Sequence, residues 1–124
     1  MSCNGRGRVK MSADARWRSV FAEQALRSRW LRYARGWNER INAFVSFADS
    51  ADGAGAVPAG PLQGMPYAVK DNIAVAGQPL SCGSALLGDH VAPFSATCVQ
   101  RLQAAGAIVA GKTNLDEFGM GSDT

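Results

Sequence analysis

The chain has 124 residues, enough for one small domain, and its apolar share of 47% with a charged share of 19% is that of a folded globular protein. No apolar run reaches the roughly 18 residues of a membrane-spanning helix, and no apolar stretch follows the first charges as a secretory signal would require. The formal charge of +3 hides an asymmetry: residues 1–40 hold ten of the 13 Lys and Arg against three acids, and the rest of the chain is net acidic.

An Arg-rich, acid-poor start has the composition of a mitochondrial transit segment, and equally of a solvated helix face or a basic patch that touches RNA. The expected compartment is the mitochondrial matrix or the cytoplasm. Cys3, Cys82 and Cys98 form no C-x-x-C pair and His90 is the single histidine, so neither a zinc site nor a disulfide framework can be drawn. Unpaired thiols suit a reducing compartment.

From about Ser12 to Asn42 the apolar residues Trp17, Val20, Phe21, Leu26, Trp30, Trp37 and Ile41 recur at helical spacing, with arginines between them. This predicts one long amphipathic helix, or two broken near Gly36, followed by an extended stretch from Ala43 to Phe47. Residues 1–50 are therefore read as a basic helical segment. Residues 51–60 (A-D-G-A-G-A-V-P-A-G) read as a Gly/Ala-rich linker, and residues 61–124 as the third part.

In that third part, Met65 to Val69 predicts a short apolar strand ending at Lys70-Asp71-Asn72, and Ile73 to Val75 a second one. Ser81-Cys82-Gly83-Ser84 reads as a loop. Ser95 is placed to cap a helix from Ala96 to Ala105, with Cys98, Val99, Leu102 and Ala105 on its apolar side and Gly106 at its C-terminus. Cys98 is expected in the core. Ala107 to Ala110 predicts a buried strand, Gly111 to Asn114 a loop, and Leu115 the start of another helix. Strand, helix, strand is a βαβ unit, whose strands should be parallel neighbours with a right-handed crossover. Alone it leaves sheet edges and apolar faces uncovered, so it reads as part of a larger sheet.

Residues 106–113 (G-A-I-V-A-G-K-T) satisfy the phosphate-loop pattern letter for letter. The context argues against that reading. A helix precedes Gly106, and the four intervening residues are themselves the strand, with Ile108 and Val109 suited to extended backbone.

Lys70 is the candidate catalytic residue. A lysine serves as a base only when neutral, and desolvation at the end of an apolar strand (Tyr67, Ala68, Val69, with Ile73 near) favours the neutral form. The bland alternative is a surface ion pair with Asp71.

Three segments, in order, carry a family resemblance: G-P-L-Q-G-M-P-Y-A-V-K-D-N-I-A-V-A-G (60–77), S-C-G-S-A-L-L (81–87) and A-P-F-S-A-T-C-V-Q-R-L-Q-A-A-G-A-I-V-A-G-K-T-N-L-D-E-F-G-M-G-S (92–122), preceded by I-N-A-F-V (41–45). Over about two thirds of the chain these residues resemble the first part of the amidase-signature family. Ser95 stands where that family usually shows Asp. The ending K-T-N-L-D-E-F-G-M-G-S is most similar to the amidase-type subunit of the glutamyl-tRNA(Gln) and aspartyl-tRNA(Asn) amidotransferases, particularly organellar ones.

The resemblance implies an incomplete amidase-signature α/β fold, an N-terminal helix plus a βαβ unit of a larger mixed sheet. It assigns Lys70 the role of general base, taking a proton through one serine, held in a cis peptide, from a second serine that attacks the amide carbon. The family carries those serines in G-G-S-S-G-G-S and D-T-G-G-S segments, and neither string occurs in these 124 residues. Ser81, Ser84 and Ser122 occupy no catalytic position of the motif, so the chain as written is expected to be inactive.

The implied parent reaction is hydrolysis of the glutamine amide, with the ammonia amidating Glu or Asp esterified to tRNA. The implied partners are one subunit that binds aminoacyl-tRNA and ATP, and a second, small and connecting. ATP and magnesium belong to the partner, and no cofactor or metal is expected in this chain. A small-amide hydrolase fragment and a non-catalytic basic interaction module are the alternatives.

Overall fold

The computed structural model describes residues 24–48 and 59–121. Helix α1 spans Gln24–Ile41 and runs unbroken through Gly36. The part of the expected helix before Gln24 and most of the 51–60 linker lie outside the described residues, as does Ser122. Strand β1 (Phe44–Phe47), strand β2 (Pro66–Lys70), helix α2 (Thr97–Ala104) and strand β3 (Ile108–Thr113) follow in order.

The sheet has three strands in the order β1-β3-β2. Strands β2 and β3 are parallel, as the βαβ pattern predicts, with Val69 opposite Lys112 and Lys70 opposite Thr113. Strand β1 adds to the other side of β3 in the antiparallel sense, with Phe47 opposite Gly111. The sequence foresaw β1 as extended but not its partner. Gly111 explains the fit: a Cβ there would run into the Ser46 carbonyl oxygen, so only glycine lets the β1 backbone pass.

Both helix ends that meet the sheet are closed by local chemistry. At the end of α1, Asn42 takes a left-handed conformation (φ 48°), and its N–H bonds back to the Asn38 carbonyl at 2.8 Å. The Asn38 side chain then clamps Phe44, donating to its carbonyl at 2.9 Å and accepting from its N–H at 2.7 Å. At the end of α2, Gly106 has φ 91°, the Ala107 N–H reaches the Leu102 carbonyl and the Gly106 N–H reaches that of Gln103. This is the glycine-closed terminus expected from sequence.

The core joins α1 to the sheet: Leu31 clusters with Ala48, Val69, Val75, Val99, Val109 and Ala110, with Trp30, Phe47 and Tyr67 packed against it. Four expectations fail. Ile73 to Val75 forms no strand. The Ser95 hydroxyl does not cap α2 but accepts from the Ala76 N–H at 2.9 Å, tying the chain after β2 to the start of the helix. Cys98 is exposed, because α2 buries only Val99. The stretch Gly111-Lys112-Thr113 is strand rather than loop, and a 3-10 turn at Glu117–Gly119, not an α-helix, follows the buried Leu115.

Candidate active site

Strand β2 alternates its side chains, so Val69 turns inward (4% exposed) while Lys70 turns out. Lys70 is exposed at the C-terminal end of the strand. Among the described residues no carboxylate pairs with it and no apolar cover desolvates it. The environment expected from the preceding apolar residues is thus absent here, since alternation points Lys70 away from the face they bury.

Asp71 does not pair with Lys70 either. Its side chain is fully buried, and Oδ1 lies 2.9 Å from the Nζ of Lys112, which is also fully buried. The Lys112 ammonium aims its hydrogen bond at the Pro79 carbonyl, 2.9 Å away. Asp71 Oδ2 accepts from the Ser81 N–H at 2.9 Å and from the Ser81 hydroxyl at 2.5 Å. Two opposite charges sealed from water are stable only when paired and hydrogen-bonded on their remaining valences, which this arrangement supplies.

The main chain around Lys70 is held with equal care. The Asp71 N–H bonds to the Thr113 carbonyl at 3.1 Å, the Ile73 N–H to the Lys70 carbonyl at 2.9 Å, and the Cys82 N–H to the Asp71 carbonyl at 3.3 Å. The 81–84 loop straps the ends of the two parallel strands together. Ser81 grips Asp71 after β2. Beyond β3, Ser84 Oγ donates to Glu117 Oε1 at 2.6 Å and the Phe118 N–H reaches the Cys82 carbonyl at 2.8 Å. A Cβ on Gly83 would press on the Leu115 carbonyl at 2.8 Å, so the loop has no room to shift inward. Lys70 therefore projects from a braced edge at the carboxyl ends of parallel strands, where ligands bind in open α/β sheets.

Asp71 and Lys112 are the residues that sequence reasoning missed. A signal existed: Lys112 lies in the run I-V-A-G-K-T, and a lysine inside a buried strand requires a carboxylate partner. The phosphate-loop lettering is thereby set aside, because its lysine is spent on Asp71. Among the described residues no group of His, Cys, Asp and Glu could hold a metal ion, and no helix is long and apolar enough to cross a membrane.

Near the edge, burial pushes the Tyr67 phenol above its ordinary value, and the Cys98 thiol adds in the same direction. The Tyr67 hydroxyl is closed to solvent with no hydrogen-bond partner among the described residues.

Comparison with known proteins agrees with this architecture. The amidase-type subunit of the glutamyl-tRNA(Gln) amidotransferase of Treponema pallidum is 52% identical over 87 residues, covering 70% of this chain and 17% of that protein. The crystal structure of its Thermotoga maritima counterpart superposes with a TM-score of 0.64 at 30% identity, over 85% of this chain and 25% of that one. The 6-aminohexanoate cyclic dimer hydrolase superposes with a TM-score of 0.74 at 26% identity, over 87% and 24%. The chain thus spans a quarter or less of the length of these relatives. The family described as Amidase matches residues 30–124, and the chain belongs to that family.

Proposed function

We propose that these residues supply the lysine-bearing part of an amidase active site, with Lys70 as the general base. The parent reaction is release of ammonia from the glutamine amide for amidation of an aminoacyl-tRNA. The observation that carries this reading is the placement of Lys70 on the braced end of β2, one residue before a carboxylate that is committed elsewhere. A base needs a fixed position and no counter-ion that would hold its proton, and pairing Asp71 with Lys112 leaves Lys70 without one.

The remaining parts come from outside these residues. Neither serine segment of the family occurs in the sequence, so the 124 residues alone hydrolyse no amide in this account. Desolvation of Lys70 falls to the chain and substrate that cover the edge. ATP, magnesium and aminoacyl-tRNA fall to partner subunits, and the Arg-rich N-terminus supports the mitochondrial matrix over the cytoplasm.

A second reading, hydrolysis of a small amide without tRNA, is favoured by the higher TM-score to the cyclic dimer hydrolase. The higher sequence identity to the amidotransferase supports the first.

The test is a graft. Residues 60–121 replace the matching stretch of the Thermotoga maritima protein, which is assayed with its own partner subunits for glutamine-dependent ammonia release. The reading expects activity within about tenfold of the parent, a loss of about 1.4 kcal/mol in transition-state stabilisation. A folded, assembled graft with no activity overturns it. Activity from the same graft in the cyclic dimer hydrolase, and none in the amidotransferase, supports the second reading.

A further inference from the structure

The outward face of α1 is basic and aromatic at once. Spacing of about 100° per residue puts Arg29, Arg32, Tyr33, Gly36, Trp37 and Arg40 on one arc, opposite the buried Leu31. Of these, Tyr33 is 66% exposed and Trp37 42%. The two rings lie 6.1 Å apart with planes tilted by 58°, and the Arg40 guanidinium sits 5.1 Å over the Trp37 ring. Glu39, also exposed, is the single acid of the helix.

Gly36 is a second, independent observation. Glycine inside a helix costs about 0.5–1 kcal/mol relative to alanine, and here no internal contact requires it: a Cβ would meet nothing within 4 Å. The missing side chain leaves backbone open between the arginines and the aromatic pair, where a ligand can approach closely.

We infer that this face of α1 binds single-stranded RNA. The inference goes beyond the proposed amidase function and does not rest on Lys70. Guanidiniums from Arg29, Arg32 and Arg40 meet phosphates, and Tyr33 with the Arg40-covered Trp37 offers stacking surfaces for bases. The gap at Gly36 admits the sugar-phosphate chain. A membrane is the poorer occupant, because an interfacial helix segregates its arginines from its aromatic face, and here they share one arc. An acidic peptide would use the charges but not the open rings.

The test is fluorescence anisotropy of labelled oligouridylate titrated with the full 124-residue chain between about 50 and 200 mM salt. Log affinity should fall against log salt with a slope near roughly −2, three phosphates at about 0.7 each. Arg32→Gln with Arg40→Gln should reduce that slope by about 1.4. Trp37→Ala should weaken binding about fivefold or more while keeping the slope. Gly36→Leu should abolish binding although the helix, followed by circular dichroism, persists, and Arg101→Gln on α2 should change nothing. Absence of binding overturns the inference, as does affinity indifferent to the α1 variants. Tighter binding to phosphatidylglycerol vesicles than to RNA overturns it too, as does self-association in sedimentation that Trp37→Ala removes.

Discussion

The Lys112 ammonium lies 2.9 Å from Asp71 Oδ1 with both side chains sealed from solvent; Lys112 belongs to β3, and Asp71 directly follows the parallel strand β2. The pair sits directly behind the outward-facing Lys70. Removing one partner leaves the other charge buried and alone. Lys112→Met should destabilise the chain by about 3–5 kcal/mol, measured by urea denaturation. Lys112→Met combined with Asp71→Asn removes both charges, keeps an acceptor for Ser81, and should recover more than half of that loss. Equal loss in the single and double variants would mean that the charges are not coupled.

Tyr67 sets an alkaline limit. Its raised value means that the folded state keeps the phenol proton after the unfolded chain has lost it. The corresponding stability is fully present below the ordinary tyrosine value of about 10 and is lost as pH rises from there through the folded value. Tyr67→Phe should flatten the decline in stability above that pH. At neutral pH it should be neutral or stabilising by up to about 1 kcal/mol, because it removes a hydroxyl that has no partner among the described residues.

Gly111 governs whether β1 joins the sheet. Gly111→Ala drives a methyl group into the Ser46 carbonyl and should cost about 1–3 kcal/mol. Hydrogen exchange should show the loss at the Ala48 N–H, which bonds to the Ala110 carbonyl at 3.0 Å, and at the Asn114 N–H, which bonds to that of Ala43 at 2.9 Å. The β2–β3 amides should be spared.

Gly36→Ala should act oppositely. With open space around its Cβ, it should raise stability by about 0.5–1 kcal/mol and increase helix content in circular dichroism.

Much of this fold is legible from residue order. Apolar runs bounded by turn residues mark β2 and β3, and Gly106 marks the end of α2, because local chemistry decides those features. What local chemistry does not decide was missed. The pairing of β1 depends on Gly111, far along the chain from Ser46. Ser95 looks like a helix cap, yet a donor from across the fold, the Ala76 N–H, claims its oxygen. Lys70 follows three residues that suggest burial, and strand alternation turns it outward regardless. Lys112 reads as a loop lysine until Asp71 is seen beside it. Contacts across the sheet set each of these outcomes, and no window of neighbouring residues contains them.

The most direct test of the central claim is the turnover of the Thermotoga maritima graft carrying Lys70→Met. Loss of a general base should lower kcat by about 10²–10⁴ with KM for glutamine little changed, and Lys70→Arg should not restore it, because a guanidinium stays charged. A graft that keeps its kcat after Lys70→Met, while folded and assembled, would contradict the assignment of Lys70 as the base.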